Sequence, residues 1–135
     1  MNQAQRLIAE ARTVAENSYS PYSEFRVGAV VIAADGTEYN GCNVENAAYG
    51  ASICAEANAI STAAANGVRE LHTVAVTCLD GQGCTPCGNC RQIMREFGVK
   101  RVILTDESGA PVEHTLDELL PMSFGPEDLR PSAEY

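Results

Sequence analysis

Two short runs constrain this chain more than anything else in it: Cys54-Ala55-Glu56 and, well downstream, Pro86-Cys87-Gly88-Asn89-Cys90. Cys87 and Cys90, two residues apart at an expected helix start, can grip one Zn²⁺ from adjacent positions. Cys54, from a distant segment, completes a pyramid and leaves the fourth position vacant, so the fold has to bring both segments together. A closed site of four cysteines would hold shape, whereas three thiols leave room for water. Glu56 follows Cys54 by two residues and on a helix points toward the open face of the metal without ligating it, where a proton shuttle is needed. An exposed helical carboxylate is the commoner fate of a glutamate. The place of this one between Cys54 and an alanine-rich face argues for catalysis.

The 135 residues, 45% of them hydrophobic, fit one compact domain spanning 1–135, with no visible linker or repeat. The start, Met1-Asn2-Gln3-Ala4-Gln5-Arg6, lacks the basic patch and apolar run of an export signal, and no segment approaches the roughly 18 apolar residues of a membrane span. A cytoplasmic location and reduced thiols are therefore expected, with a disulfide framework the weaker reading of the six cysteines. The net charge of −9 disfavours nucleic acid as a partner, because such a surface repels a phosphate polymer. A small uncharged ligand suits it better.

Ala4, Leu7, Ile8, Ala11, Val14 and Ala15 form an apolar stripe that predicts a helix over residues 3–17. Arg26 to Ala33 and Thr37 to Cys42 read as a hairpin around Asp35-Gly36, Ser52 to Ala65 as a helix stopped at Asn66-Gly67, and Thr73 to Cys78 as a buried strand. A loop from Asp80 to Thr85 leads to a helix from about Gly88 to Phe97, then a strand at Val102-Ile103-Leu104. The link Asp106 to Ala110 is too short for a crossover helix, so a fifth strand near Pro111 to His114 should run antiparallel to the fourth, before a short helix at Leu116 to Leu120. The expected fold class is α/β, a sandwich with a mixed five-stranded sheet.

Cys-x-Glu joined to Pro-Cys-x-x-Cys resembles the signature of the zinc-dependent cytidine deaminases. Tyr19-Ser20-Pro21-Tyr22-Ser23-Glu24-Phe25-Arg26-Val27-Gly28-Ala29, Gly41-Cys42-Asn43-Val44-Glu45-Asn46-Ala47-Ala48-Tyr49-Gly50, and Leu119-Leu120-Pro121 with Phe124 extend the resemblance to the small homotetrameric nucleoside deaminases. The resemblance implies a three-layer α/β/α sandwich and one Zn²⁺ per chain on Cys54, Cys87 and Cys90. It also implies hydrolysis of cytidine and 2′-deoxycytidine to their uridine counterparts, in pyrimidine salvage. In that reaction a zinc-activated hydroxide attacks C4 of the base while Glu56 serves as the proton shuttle, to ring N3 and to the departing amino group.

The same resemblance assigns Asn43 and Glu45 to the sugar, Phe25 to an apolar wall, and Tyr49 and Phe124 to help from a neighbouring subunit in a homotetramer with shared sites. Backbone groups near the helix start, notably Ala55, should bond the pyrimidine edge. A carboxylate at Glu45 that accepts a bond from the sugar's 3′-hydroxyl should repel a nearby phosphate, favouring nucleosides over nucleotides. The chain departs from the pattern at Ala57, where many relatives carry an arginine directly after the glutamate. Three thiolates leave zinc with a formal charge of −1, and Arg91, next to Cys90, is the candidate that offsets it. Cys42, Cys78 and Cys84 read as small buried hydrophobes, and His72 and His114 lack ligand spacing. The competing readings are deamination of a related aminopyrimidine nucleoside antibiotic, and a non-catalytic structural zinc module closed by Cys84.

Overall fold

The structure is a computed structural model, and it describes residues 1–80 and 83–130. Residues 81 and 82, in the loop expected from Asp80 to Thr85, lie outside the described residues. The first helix, α1, runs Gln3–Ala15 and is started by a reciprocal cap in which the Asn2 side chain accepts from the Gln5 N–H and the Gln5 side chain returns the bond. Two strands follow, β1 (Val27–Ala33) and β2 (Glu38–Cys42), then α2 (Ala55–Ala65) and β3 (Leu71–Cys78). The chain continues through α3 (Gly88–Glu96), β4 (Arg101–Thr105), β5 (Pro111–Thr115), α4 (Leu116–Leu119) and α5 (Pro126–Leu129).

The sheet has the order β2-β1-β3-β4-β5. β1 is antiparallel to β2 and β3, β3 and β4 are parallel, and β5 is antiparallel to β4, as its short link requires. Side-chain alternation sends Val30, Ile32, Ala75 and Ile103 to one face, where Leu7, Ile8 and Ala11 of α1 cover them. Val31, Val74, Val76 and Val102 pack on the other face with Ile60 of α2 and Met94 of α3. Helices on both faces explain why every residue of β1 is buried, and the three layers match the expectation.

Two glycines let the layers touch backbone to backbone. A Cβ on Gly28 would lie 2.0 Å from the carbonyl oxygen of Ala11, and one on Gly41 would lie 2.5 Å from the amide nitrogen of Ala59. The second contact seats α2 directly on β2, and Asn58 adds a bond from its Nδ2 to the Cys42 carbonyl at 2.8 Å. α2 begins at Ala55 instead of Ser52. Tyr49–Ala51 form a single 3₁₀ turn, and Ile53 is extended, exchanging both backbone bonds with Val44 at 2.9 Å. That pairing leaves Cys54 as the residue that enters the helix.

Candidate active site

Cys54 is the N-cap of α2 and Cys87 the N-cap of α3, with Cys90 in the first turn of α3. Their ligand sulfurs all lie within 4.8 Å of one another. Sulfurs about 3.8 Å apart around one tetrahedral zinc need only a small contraction from that arrangement. Cys84 is buried and stands outside the group, so among the described residues the cluster consists of three thiols, as the spacing predicts. None of the six cysteines forms a disulfide.

The amides at the start of α3 favour thiolate at Cys87: the N–H of Cys90, helped by that of Asn89, brings its pKa below the ordinary cysteine value. Burial raises Cys54 and Cys90 instead, and at Cys90 the neighbouring Glu56 charge raises it further. Glu56, on the second residue of α2, is 5% exposed. Burial raises its carboxyl above the ordinary range, against smaller opposing effects from its own backbone N–H and the Cys90 thiol. Three thiols and a carboxylate crowded together in this way cannot all ionise without a cation among them. That donor set, soft and short of positive charge, suits zinc.

The segment after β2 runs between the chain entering β1 and the chain entering α2. Tyr19 N–H donates to the Asn43 carbonyl, Glu45 N–H to the Tyr19 carbonyl, and Val44 pairs with Ile53, directly before Cys54. Asn43 and Glu45 are thereby set beside the metal segment. The Asn43 Oδ1 accepts from the Val27 N–H at 2.9 Å and the Ser18 hydroxyl at 2.5 Å, and its Nδ2 donates to the Phe25 carbonyl at 2.7 Å. Among the described residues, Nδ2 of Asn43 thus makes one of its two possible donor bonds. Glu45 accepts at Oε1 from the N–H groups of Tyr22 and Ser23, at 3.0 and 3.1 Å, and at Oε2 from the Ser23 hydroxyl. These bonds hold its pKa below the ordinary glutamate value, with the Ser23 hydroxyl the largest cause.

Tyr22, Ser23, Glu45, Tyr49 and Ser52 line a cavity of about 300 Å³. The rings of Tyr22 and Tyr49 meet edge to face, 5.9 Å apart. Phe25 is at the edge of exposure, while Tyr49 and Phe124 are well exposed. Arg26 grips Asp80 with its backbone N–H and Nε, both at 2.9 Å, and with Nη2 at 2.8 Å, fastening the entry to β1 to the chain leaving β3.

Arg91 directs Nε to the Pro86 carbonyl at 2.8 Å and Nη1 to the Leu119 carbonyl at 2.6 Å. Its donors thus brace the loop before Cys87 against the C-terminal segment. Gln92 donates to the Phe124 carbonyl at 2.8 Å, and Arg95 donates to the Ser123 hydroxyl at 2.9 Å and pairs with Glu127. Tyr22, Ser23, Ser52, Gln92 and Arg95 were not assigned from the sequence. Ser23 lies inside a run that resembles the family, but no spacing signals its bond to Glu45.

Residues 1–106 match the family model described as "Cytidine and deoxycytidylate deaminase zinc-binding region". The chain is 45% identical over 132 residues to a cytidine deaminase of Sporosarcina psychrophila, covering 96% of this chain and 97% of that one. The crystal structure of cytidine deaminase from Burkholderia pseudomallei is similar with a TM-score of 0.83 and 40% identity, over 92% of this chain and 100% of that one. That of cytidine deaminase from Mycobacterium tuberculosis has a TM-score of 0.79 at 34% identity, over 93% and 99%.

Proposed function

This chain belongs to the zinc-binding cytidine deaminase family, and from that premise we propose that it hydrolyses cytidine and 2′-deoxycytidine to uridine and 2′-deoxyuridine with release of ammonia. The observation that carries the reading is the convergence of Cys54, Cys87 and Cys90 beside the buried carboxylate of Glu56. A structural zinc module explains the thiols and leaves a costly buried carboxylate without a purpose.

Zinc held by the three thiols would supply the Lewis acidity that makes water nucleophilic near neutral pH. Glu56 moves two protons in turn, one from water to ring N3 and then the one left on the new C4 hydroxyl to the departing amino group, and its burial makes it a better proton holder than a solvated glutamate. Backbone groups at Ala55 hold the pyrimidine edge, and Phe25 limits the base on one side. Asn43, through its remaining N–H, and Glu45 hold the sugar hydroxyls. Arg91, beside Cys90, offsets the negative charge of the thiolates through its field while its donors serve carbonyl oxygens.

The reading extends to one deaminase domain over 1–135, a role in pyrimidine salvage, and a cytoplasmic homotetramer in which Phe124 and Tyr49 complete a neighbour's site. It is supported by the exposure of both rings and by six cysteines outside any disulfide. Among the described residues no helix is long and apolar enough to cross a membrane. The test is to incubate purified protein with cytidine and with 2′-deoxycytidine, follow uridine and deoxyuridine by absorbance and chromatography, and count zinc per chain. Zinc-loaded protein that leaves both substrates unchanged would sink the proposal.

A further inference from the structure

Glu45 is wrapped by its neighbours in a way that leaves it little freedom. Oε1 already accepts two backbone N–H bonds, from Tyr22 and Ser23, which fills the two acceptor positions of a carboxylate oxygen. Oε2 accepts one bond, from the Ser23 hydroxyl, and keeps one position for a ligand. The Ser23 hydroxyl in turn accepts the Phe25 N–H at 3.0 Å. One hydroxyl therefore ties the carboxylate assigned to the sugar to the backbone of the ring assigned to the base. Glu24, between Ser23 and Phe25, has φ +59, a left-handed conformation that a non-glycine residue adopts at a cost. The turn keeps that conformation while the bonds on either side hold it, and it borders the cavity of about 300 Å³ that Glu45 lines.

We propose that Ser23 is a positioning residue that selects Oε2 of Glu45 as the acceptor for the substrate's 3′-hydroxyl and keeps that oxygen in register with the Phe25 wall. The proposal rests on the cytidine deaminase reading. It adds that discrimination for a 3′-hydroxyl requires the hydroxyl at position 23 as well as the carboxylate at 45. Without the Ser23 hydroxyl, Oε2 loses its fixed partner, the carboxylate swings, and binding of the sugar weakens while the chemistry at the base continues.

The experiment compares kcat and KM for cytidine and 3′-deoxycytidine in the wild type, Ser23→Ala, Ser23→Thr, Glu45→Gln and the double variant Ser23→Ala/Glu45→Gln, each with zinc content measured. A bond to a charged group is worth roughly ten-fold or more, so Ser23→Ala should lower the wild-type preference for cytidine over 3′-deoxycytidine by about ten-fold, chiefly through KM. Ser23→Thr, which keeps the hydroxyl, should restore the preference, and the double variant should discriminate no less than Glu45→Gln alone. A Ser23→Ala enzyme with an unchanged preference overturns the proposal, as does a wild type that does not discriminate between the two substrates. If Ser23→Ala fails to fold, Ser23→Cys, close in shape and a weak donor, carries the same expectation and the same refutation. Failure of the wild type to deaminate cytidine would instead strike the underlying functional reading, so the two failures are distinguishable.

Discussion

Cys54 and Cys87 hold the same position on different helices, each the N-cap of the element that follows it, and their sulfurs lie within 4.8 Å of each other. Neither side chain caps its own helix. Two residues that are far apart in the chain are thus freed at equivalent helix starts; backbone amides favour anionic sulfur at Cys87, burial opposes it at Cys54, and a shared cation would satisfy both.

Removing that shared ligation should remove the metal. Cys54→Ser, Cys87→Ser and Cys90→Ser are expected to purify with well under one zinc per chain, whereas Cys84→Ser should keep its zinc and its turnover, because Cys84 stands outside the cluster. Metal analysis of the four purified variants checks this, and zinc loss in Cys84→Ser would restore the closed structural site.

Glu56→Gln should keep fold and zinc yet lose at least ~100-fold in kcat, the low end for loss of a positioned acid or base, since an amide cannot carry the proton. Steady-state kinetics normalised to zinc content decide the matter, and near wild-type turnover would remove Glu56 from the mechanism.

The two close-packed glycines separate stability from site geometry. Gly28→Ala drives a methyl into the Ala11 carbonyl and Gly41→Ala drives one into the Ala59 amide, so each should cost about 1–3 kcal/mol of stability. Only Gly41 faces the helix that carries Cys54 and Glu56. Per zinc-loaded folded chain, Gly41→Ala should be clearly impaired and Gly28→Ala near normal, and equal impairment in the two would break the link between this helix seat and activity.

The Asp80 carboxylate is held below the ordinary aspartate value by Arg26. A depressed acid contributes stability that is complete above its unfolded pKa and is lost as pH falls through the folded value. Asp80→Asn should therefore have a lower urea midpoint than the wild type at neutral pH, with the gap closing as the pH falls below the ordinary aspartate range. Losses common to both proteins, including release of zinc in acid, cancel in the difference. A gap that stays constant down to low pH would show that the charge on Asp80 contributes nothing.

Phe124 in the proposed tetramer should act in trans. Base stacking on an aromatic is worth roughly 1–3 kcal/mol, so Phe124→Ala should impair a site that still holds zinc. Hybrids co-refolded from Glu56→Gln and Phe124→Ala chains should exceed the summed activity of the parents, because some sites then take Glu56 from one chain and Phe124 from the other. Verified hybrid tetramers with no gain would place Phe124 outside its neighbour's site.

The metal site was legible in the sequence because ligation restricts residue type and spacing at once, although spacing alone left a fourth thiol at Cys84 open until the fold set it apart. The hairpin, the buried third strand and the antiparallel return of β5 followed from periodicity and link length. What could not be read depends on where donors end up after folding. The spacing put Arg91 one turn beyond Cys87, yet its bond to the Leu119 carbonyl forms only because the C-terminal segment returns to α3. Ser23 is as opaque, since its hydroxyl meets Glu45 through a turn whose left-handed Glu24 no residue type announces. The start of α2 shifted from Ser52 to Ala55 for a similar reason, the tertiary pairing of Val44 with Ile53.

One helix joins both ends of the proposed machinery. α3 carries Cys90 in its first turn, and Arg91, Gln92 and Arg95 on the same helix hold the segment that bears Phe124. In the proposed shared-site tetramer, loosening α3 at its metal-binding start would therefore disturb the aromatic that a subunit lends to its neighbour as well as its own chemistry. Activity would then climb more steeply than metal occupancy when zinc is titrated into the stripped enzyme.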